Sequence, residues 1–270
     1  RTTNPLAVGD QVEFELEPNA NTGVIDVLHD RKNYIIRKSI NLSKQAQIIA
    51  ANMDQAFLIV TLASPRTSLG FIDRFLATSE AYSIPTMLIF NKLDLFSGEG
   101  LEILAEYKSI YENIGYPCYE VSAIEGTNMD QIESLLKDKT TLFSGHSGVG
   151  KSSLINALLP GHQIKTGIIS EASDKGQHTT TFAEMHMLPF GGYLIDTPGI
   201  RELGVFDIRP EELGHYFREM RSLLNQCRFH NCRHVNEPGC AVITAVEEGD
   251  IEASRYESYL SIYHGNETRA

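Results

Sequence analysis

Polar and apolar positions alternate with period two along Asp10-Gln11-Val12-Glu13-Phe14-Glu15-Leu16, the signature of a half-buried strand. After the turn Pro18-Asn19-Ala20-Asn21, Gly23–Leu28 and Asn33–Arg37 read as two further strands. Short strands joined by turns suit a small barrel at the N-terminus, an OB-fold among the possibilities. From Gln47 the pattern changes. Apolar runs at Gln55–Thr61, Thr86–Phe90, Pro117–Val121, Thr140–Ser144, Ala183–Met187 and Tyr193–Ile195 predict strands. Helical spacing at Phe71–Thr78, 99–114, Met129–Leu136 and from Ser153 onward falls between them. Strands alternating with helices predict a mainly parallel sheet covered on both faces, with ligands at the carboxyl ends of the strands. Beyond residue 206 the pattern turns helical again, at Ala241–Glu248 and Ile251–Tyr263. We therefore expect three units: 1–44, 45–205 and 206–270.

Composition changes this picture little, but charge and cysteine usage sharpen it. A chain of 270 residues with 42% hydrophobic content has material for a sizeable core. No run of 18 apolar residues predicts a membrane span, and no stretch reads as a signal peptide. The chain opens at Arg1 rather than Met, which leads us to expect a preceding N-terminal piece. Net charge is −12, with eighteen acids against ten bases in residues 51–205, so a general nucleic-acid-coating role is excluded. Two basic clusters stand out, Arg31, Lys32, Arg37, Lys38 and Arg218, Arg221, Arg228, Arg233. Of four cysteines, three fall within fourteen residues, which argues for a metal site rather than a disulfide framework. Cys118, inside a strand, reads as core.

The chemistry centres on Gly145-His146-Ser147-Gly148-Val149-Gly150-Lys151-Ser152, the pattern of a phosphate-binding loop, between a predicted strand and a predicted helix. Its glycines let successive backbone N–H groups converge on phosphate oxygens, and Ser153 continues the loop into the helix. Lys151 suits the β- and γ-phosphates and Ser152 suits Mg²⁺. Asn91-Lys92-Leu93-Asp94 follows a strand. Asp94 there suits the two N–H donors on one edge of guanine, Asn91 suits the other edge, and the Lys92 stem suits the ring face. A helix-capping loop is the alternative for such a tetrapeptide. Ser122-Ala123 follows the next strand, where a backbone N–H suits the base oxygen. Asp196-Thr197-Pro198-Gly199 ends another strand. Asp196 suits water-mediated contact with Mg²⁺, and the Gly199 N–H suits the γ-phosphate. In the polar loop 176–181, Thr180 is assigned to Mg²⁺ and the γ-phosphate, with the register open by one residue. Cys227-x₄-Cys232-x-His234-x₅-Cys240 supplies three thiolates and one imidazole, a set that suits tetrahedral structural Zn²⁺. Its spacing is not that of a standard finger, so unpaired buried cysteines stand as the alternative.

The order of these motifs says most. Base-reading motifs come first, then the phosphate loop, then 176–181, then 196–199. The sheet of a GTPase has been cut and rejoined elsewhere, a circular permutation. A β-rich N-terminus, a permuted GTPase and a Cys-Cys-His-Cys module together resemble the RsgA family of ribosome small-subunit-dependent GTPases over essentially the whole chain. The resemblance implies an OB-fold, truncated here, and a C-terminal zinc domain with one structural Zn²⁺. It also implies GTP and GDP as ligands with Mg²⁺, and a bacterial cytoplasmic factor, monomeric and free of membranes. Such a factor acts late in small-subunit maturation and hydrolyses GTP when bound there. The two basic clusters would carry the rRNA contacts. Ile200 stands where Ras-like enzymes hold a water-orienting Gln, so intrinsic turnover should be slow. The resemblance gives the catalytic role to His178, which matches a histidine the family carries in this loop, with Lys151. Two competing functions remain at this point: a guanine-nucleotide-responsive RNA-binding module that barely hydrolyses, and an ATP-dependent kinase on the same phosphate loop.

Overall fold

The computed structural model describes residues 6–18, 22–38, 46–161, 183–197 and 208–265. Its centre is a six-stranded sheet. In chain order the strands are β5 (Gln55–Val60), β6 (Thr86–Phe90), β7 (Cys118–Glu120), β8 (Thr140–Gly145), β9 (Glu184–Met187) and β10 (Tyr193–Asp196). In space they lie β7-β6-β5-β8-β10-β9, and only β9 runs antiparallel to its neighbour. β5 is apolar and fully buried, as a strand covered on both faces must be. Helices α1 (Leu69–Ala81) and α2 (Glu99–Asn113) bury Phe71, Ile72, Phe75, Leu104 and Tyr111 against one face. Helices α3 (Met129–Leu136) and α4 (Lys151–Leu158) bury Ile132, Leu136, Leu154 and Ile155 against the other. Cys118 sits in the first of these cores, where burial pushes its thiol up to about 12.

The N-terminal strands β1 (Val12–Leu16) and β2 (Gly23–Leu28) pair antiparallel, and β3 (Tyr34–Lys38) pairs with β4 (Ala46–Ala51). Among the described residues these are two separate ribbons rather than a closed barrel. The change of pattern at Gln47 suggests the next unit, yet β4 is laddered to β3. Ile48 packs on Ile36 within this ribbon, while Ala50 and Ile35 enter the core that α1 and α2 cover, so the ribbon is tied to the central sheet.

The C-terminal region folds as 3₁₀ turns at Pro210–Tyr216 and Leu224–Gln226, a short helix α5 (Arg218–Arg221), and helices α6 (Ala241–Glu248) and α7 (Ala253–Tyr263). Its core of Leu213, Phe217, Met220, Val242 and Tyr259 also contains Ala77 of α1. α1 thus serves two cores. Between them lies a charge network: Asp73 accepts from Arg255 (2.6 Å) and from the Tyr111 hydroxyl (2.8 Å), while Arg255 also pairs with Glu219 (2.7 Å). At the far end of α1, Glu80 pairs with Arg218 (2.7 Å) and with Arg221.

Candidate functional site

The carboxyl ends of β6, β7, β8 and β10 gather the sequence-predicted groups on one rim. At β8 the chain enters the phosphate loop through Gly145. A Cβ there would lie 2.7 Å from the Ile59 carbonyl oxygen, so only glycine passes so close to β5. The loop ends at Gly150, which has φ +86° and caps α4; a Cβ there would lie 2.3 Å from Asn91 Nδ2. Val149 is buried under the loop and fixes it to the core, and Ser152 and Ser153 lie in the first turn of α4. Lys151 Nζ donates to the Thr197 carbonyl (2.6 Å) and pairs with Asp196 Oδ1 (2.7 Å), joining the loop to the end of β10. Thr197 in turn donates its hydroxyl to the Phe143 carbonyl (2.9 Å).

The residues assigned to base reading from the sequence form one bonded set. Asn91 is buried and donates through Nδ2 to the Val149 carbonyl (2.9 Å), while its Oδ1 accepts from the Ala123 N–H (3.3 Å). One side chain therefore ties the phosphate loop to the loop after β7, 32 residues away from it in sequence. Asp94 lies in a 3₁₀ turn, Leu93–Leu95, and its Oδ1 accepts from the buried Ser122 hydroxyl (2.5 Å). That bond aims the carboxylate and leaves its other oxygen to a ligand. Lys92, left-handed at φ +66°, donates to the Ser64 carbonyl, and burial lowers the pKa of its ammonium.

Pro65 was not legible as part of this rim, and His146, assigned to the phosphate loop, has a packing role that the motif does not show. The Pro65 ring would touch a Cβ at Gly148 at 3.1 Å, so the loop after β5 closes over the phosphate loop. His146, nearly buried, stacks on Phe71 of α1 with ring centroids 3.6 Å apart. The Ser64-Pro65 pair in the loop after the buried strand β5 was the available signal for the first; for the second, the motif marks His146 but nothing in the sequence marks its contact with Phe71. His178, Thr180, Gly199 and Ile200 lie outside the described residues.

A second constellation stands on the C-terminal region. The ligating atoms of Cys227, Cys232, His234 and Cys240 all lie within 4.8 Å of one another. His234 Nδ1 is 3.6 Å from Cys227 Sγ and 3.3 Å from Cys240 Sγ, and the two sulfurs are 4.0 Å apart. A tetrahedron with ~2.3 Å metal–sulfur bonds has edges of about 3.8 Å, so the donor set fits a metal ion. The left-handed His234 backbone (φ +56°) turns the ring inward, and Tyr256 and Tyr259 hold the loop by donating to the carbonyls of His234 (2.9 Å) and Arg233 (2.6 Å).

Four residues of the two basic clusters also make ion pairs within the chain. Arg31 pairs with Asp10 (2.6 Å) and Lys32 with Asp54, and Arg218 and Arg221 are engaged by Glu80. Arg31 and Arg218 are largely covered in these pairs, while Lys32 and Arg221 stay about half exposed. Arg228 and Arg233 are exposed.

The family model for the RsgA GTPase matches residues 28–206. The small ribosomal subunit biogenesis GTPase RsgA 2 of Bacteroides thetaiotaomicron is 54% identical over 267 residues, covering 99% of this chain and 86% of its own. The Flavobacterium psychrophilum RsgA is 51% identical over 269 residues, covering 99% and 82%. Among solved structures, YjeQ from Thermotoga maritima superposes with a TM-score of 0.80 at 38% identity, covering 98% of this chain and 86% of its own. YloQ, described as a circularly permuted GTPase, gives 0.75 at 32%, covering 99% and 83%. A phosphate loop that follows its base-reading strands, on a sheet shared with these proteins, leaves one assignment: the chain belongs to the RsgA family of circularly permuted GTPases.

Proposed function

We propose that this protein binds GTP on the rim of β6, β7, β8 and β10, and hydrolyses it to GDP and phosphate when docked on the small ribosomal subunit. The step serves late maturation of that subunit. The observation that carries the reading is the Asn91 side chain, bonded at once to the phosphate loop and to Ala123. It makes base recognition and phosphate binding one rigid unit. Asp94, held by Ser122, reads the guanine N–H pair; an adenine would leave that carboxylate unpaired. The phosphate-loop N–H groups from Gly145 to Ser153 and the N-terminus of α4 bind the phosphates. Lys151 balances charge that builds on the β–γ bridge. Ser152, Asp196 and Thr180 hold Mg²⁺, and Gly199 senses the γ-phosphate. The Mg²⁺ neutralises phosphate charge when bound. The other metal, one Zn²⁺ on Cys227, Cys232, His234 and Cys240, is structural, since four protein ligands leave no open position. The protein works as a monomer in the bacterial cytoplasm.

His178 is the group we assign to orienting the attacking water, since Ile200 has no hydrogen-bonding atom to do so. Single-turnover GTP hydrolysis, titrated with purified small subunits, tests both levels. Wild-type protein should be strongly stimulated. His178→Ala should keep GTP affinity and subunit binding and lose roughly 10²-fold or more of the stimulated rate. An unstimulated wild type would overturn the ribosomal reading. A loss below about threefold in His178→Ala would move the catalytic role to a group supplied by the ribosome.

A further inference from the structure

The C-terminal region carries a second cavity, of about 310 Å³, away from the GTP rim. Phe229 and Tyr263 stand at its walls, with Asn231, Arg233, Asn236 and Glu237 around them. Phe229 is 41% exposed, unusual for a ring on so small a module. The Arg228 guanidinium lies 5.5 Å from the Phe229 ring centroid, and Arg233 donates to the Tyr263 hydroxyl (3.3 Å). Each aromatic wall thus has a cation beside it. Tyr263 is also the outer member of an aromatic row on α7. Tyr256 and Tyr259 lie 6.2 Å apart at 11° between planes, and Tyr259 and Tyr263 lie 6.2 Å apart at 25°. Beyond the row the His264 ring meets Tyr263 edge-on, with centroids 5.2 Å apart at 87°.

The acid in the cavity is already engaged. Glu237 accepts from the backbone N–H groups of Arg233 (2.9 Å), Val235 (2.9 Å) and Asn236 (3.1 Å). Its charge sits on a cradle of N–H dipoles, which offsets part of its repulsion for an incoming anion. Arg228 and Arg233 are in no ion pair with a carboxylate among the described residues, unlike Arg218, Arg221 and Arg255. Cys232 and His234 flank Arg233, so the metal site fixes this wall.

We propose that this cavity is a docking pocket for one unpaired nucleobase of RNA, stacked between Phe229 and Tyr263, with its phosphate on Arg228 and Arg233. The side-chain amides of Asn231 and Asn236 meet the base edge. A planar ring with an attached anion is the chemistry these walls fit, because every base has a π-face and a neighbouring phosphate. That the nucleic acid is RNA rests on the small-subunit reading; the pocket itself rests on the cavity.

The test uses the full, metal-loaded chain and two separate readouts. The first is a single-stranded hexaribonucleotide carrying one 4-thiouridine, photo-crosslinked and mapped by mass spectrometry, with affinity from anisotropy of a labelled copy. Crosslinks should fall at Phe229, Tyr263 or the loop between Asn231 and Glu237. Phe229→Ala should weaken binding roughly 5- to 150-fold, the range for loss of one base stack. Arg233→Gln, which keeps the loop backbone, should weaken it by a smaller factor and flatten its salt dependence. Both variants should retain metal content and GTP affinity. Crosslinks that map elsewhere, wild-type affinity in both variants, or equal binding of an acidic hexapeptide would overturn the pocket. The second readout is cosedimentation of wild-type protein with small subunits. Its failure with the crosslinks in place would remove the ribosomal reading and leave the pocket; the reverse result would do the opposite.

Discussion

On the proposed reading, single residues decide which base this site accepts. The Ser122 hydroxyl occupies one lone pair of Asp94 Oδ1, so the guanine N–H pair would meet the remaining lone pairs of the carboxylate. Asp94→Asn turns that edge into one donor and one acceptor, which matches xanthine instead. Competition binding should show affinity moving from GTP toward xanthosine triphosphate; an unchanged guanine preference would remove Asp94 from base reading. Gly150 is equally decisive for a steric reason. In Gly150→Ala the new Cβ would meet Asn91 Nδ2 at 2.3 Å with φ at +86°, so the Asn91 bridge must break. Calorimetry with GDP should show binding lost or weakened by at least tenfold, while circular dichroism still reports a folded chain. Both positions were legible from short motifs, because phosphate and guanine each demand a fixed local spacing. The His146–Phe71 stack was not, since its two rings come from elements 75 positions apart and no local pattern encodes their meeting.

At the scale of elements, α1 is the informative case. Its spacing reads as a helix with one apolar face, yet the folded helix has two partners. Ile72, Phe75 and Leu76 enter the sheet's core, while Asp73, Ala77 and Glu80 face the C-terminal module. A buried Asp in the middle of an apolar run was the visible sign, but its partner Arg255 lies 182 residues away. Helix and strand types were legible because each has its own hydrophobic period. That β4 ladders with β3 was not legible, since strand pairing leaves no trace in one strand's pattern. Removing one member of a buried ion pair typically costs about 3–5 kcal/mol, because the other charge stays buried. Arg255→Met should therefore lower stability in urea by about that amount, more than Asp73→Asn combined with Arg255→Met. Glu80 adds a pH dependence. Burial alone would raise its carboxyl, but Arg221 and Arg218 override burial and hold it below its ordinary 4.5. A depressed carboxyl stabilises above its unfolded value and loses that contribution as pH falls through the folded one. Packing of the C-terminal module on α1 should thus weaken progressively below about pH 4.5, and Glu80→Gln should flatten that acid limb of the denaturation profile.

At the scale of the whole molecule, three units were expected from shifts in pattern, and the described residues show how closely the second and third are joined. The C-terminal core includes Ala77, so losing the metal should be felt beyond the metal loop. Structural zinc can contribute on the order of 10–16 kcal/mol to a small module. Elemental analysis should give about one Zn per chain, and Cys232→Ser should lower the melting temperature of the entire chain while GTP affinity survives. A metal-free native protein, or two independent melting transitions, would contradict this. The shared helix has a further consequence. The C-terminal module is joined to the sheet twice, by peptide bonds through 198–207 and by the Asp73 and Glu80 contacts of α1. Chain and contacts close a ring, and a short tether holds its ends at an effective concentration on the order of millimolar. A cut at an engineered protease site within 198–207 opens the ring without removing the second join. The two fragments should still elute together on gel filtration. Among the described residues, one path from the phosphate loop to the module runs through His146 and Phe71 into α1, and another enters where Arg218 donates to the Gly115 carbonyl between α2 and β7. On the ribosomal reading proposed above, nucleotide dependence of small-subunit binding that survives the cut travels through such packed contacts, and dependence that vanishes was carried along the chain.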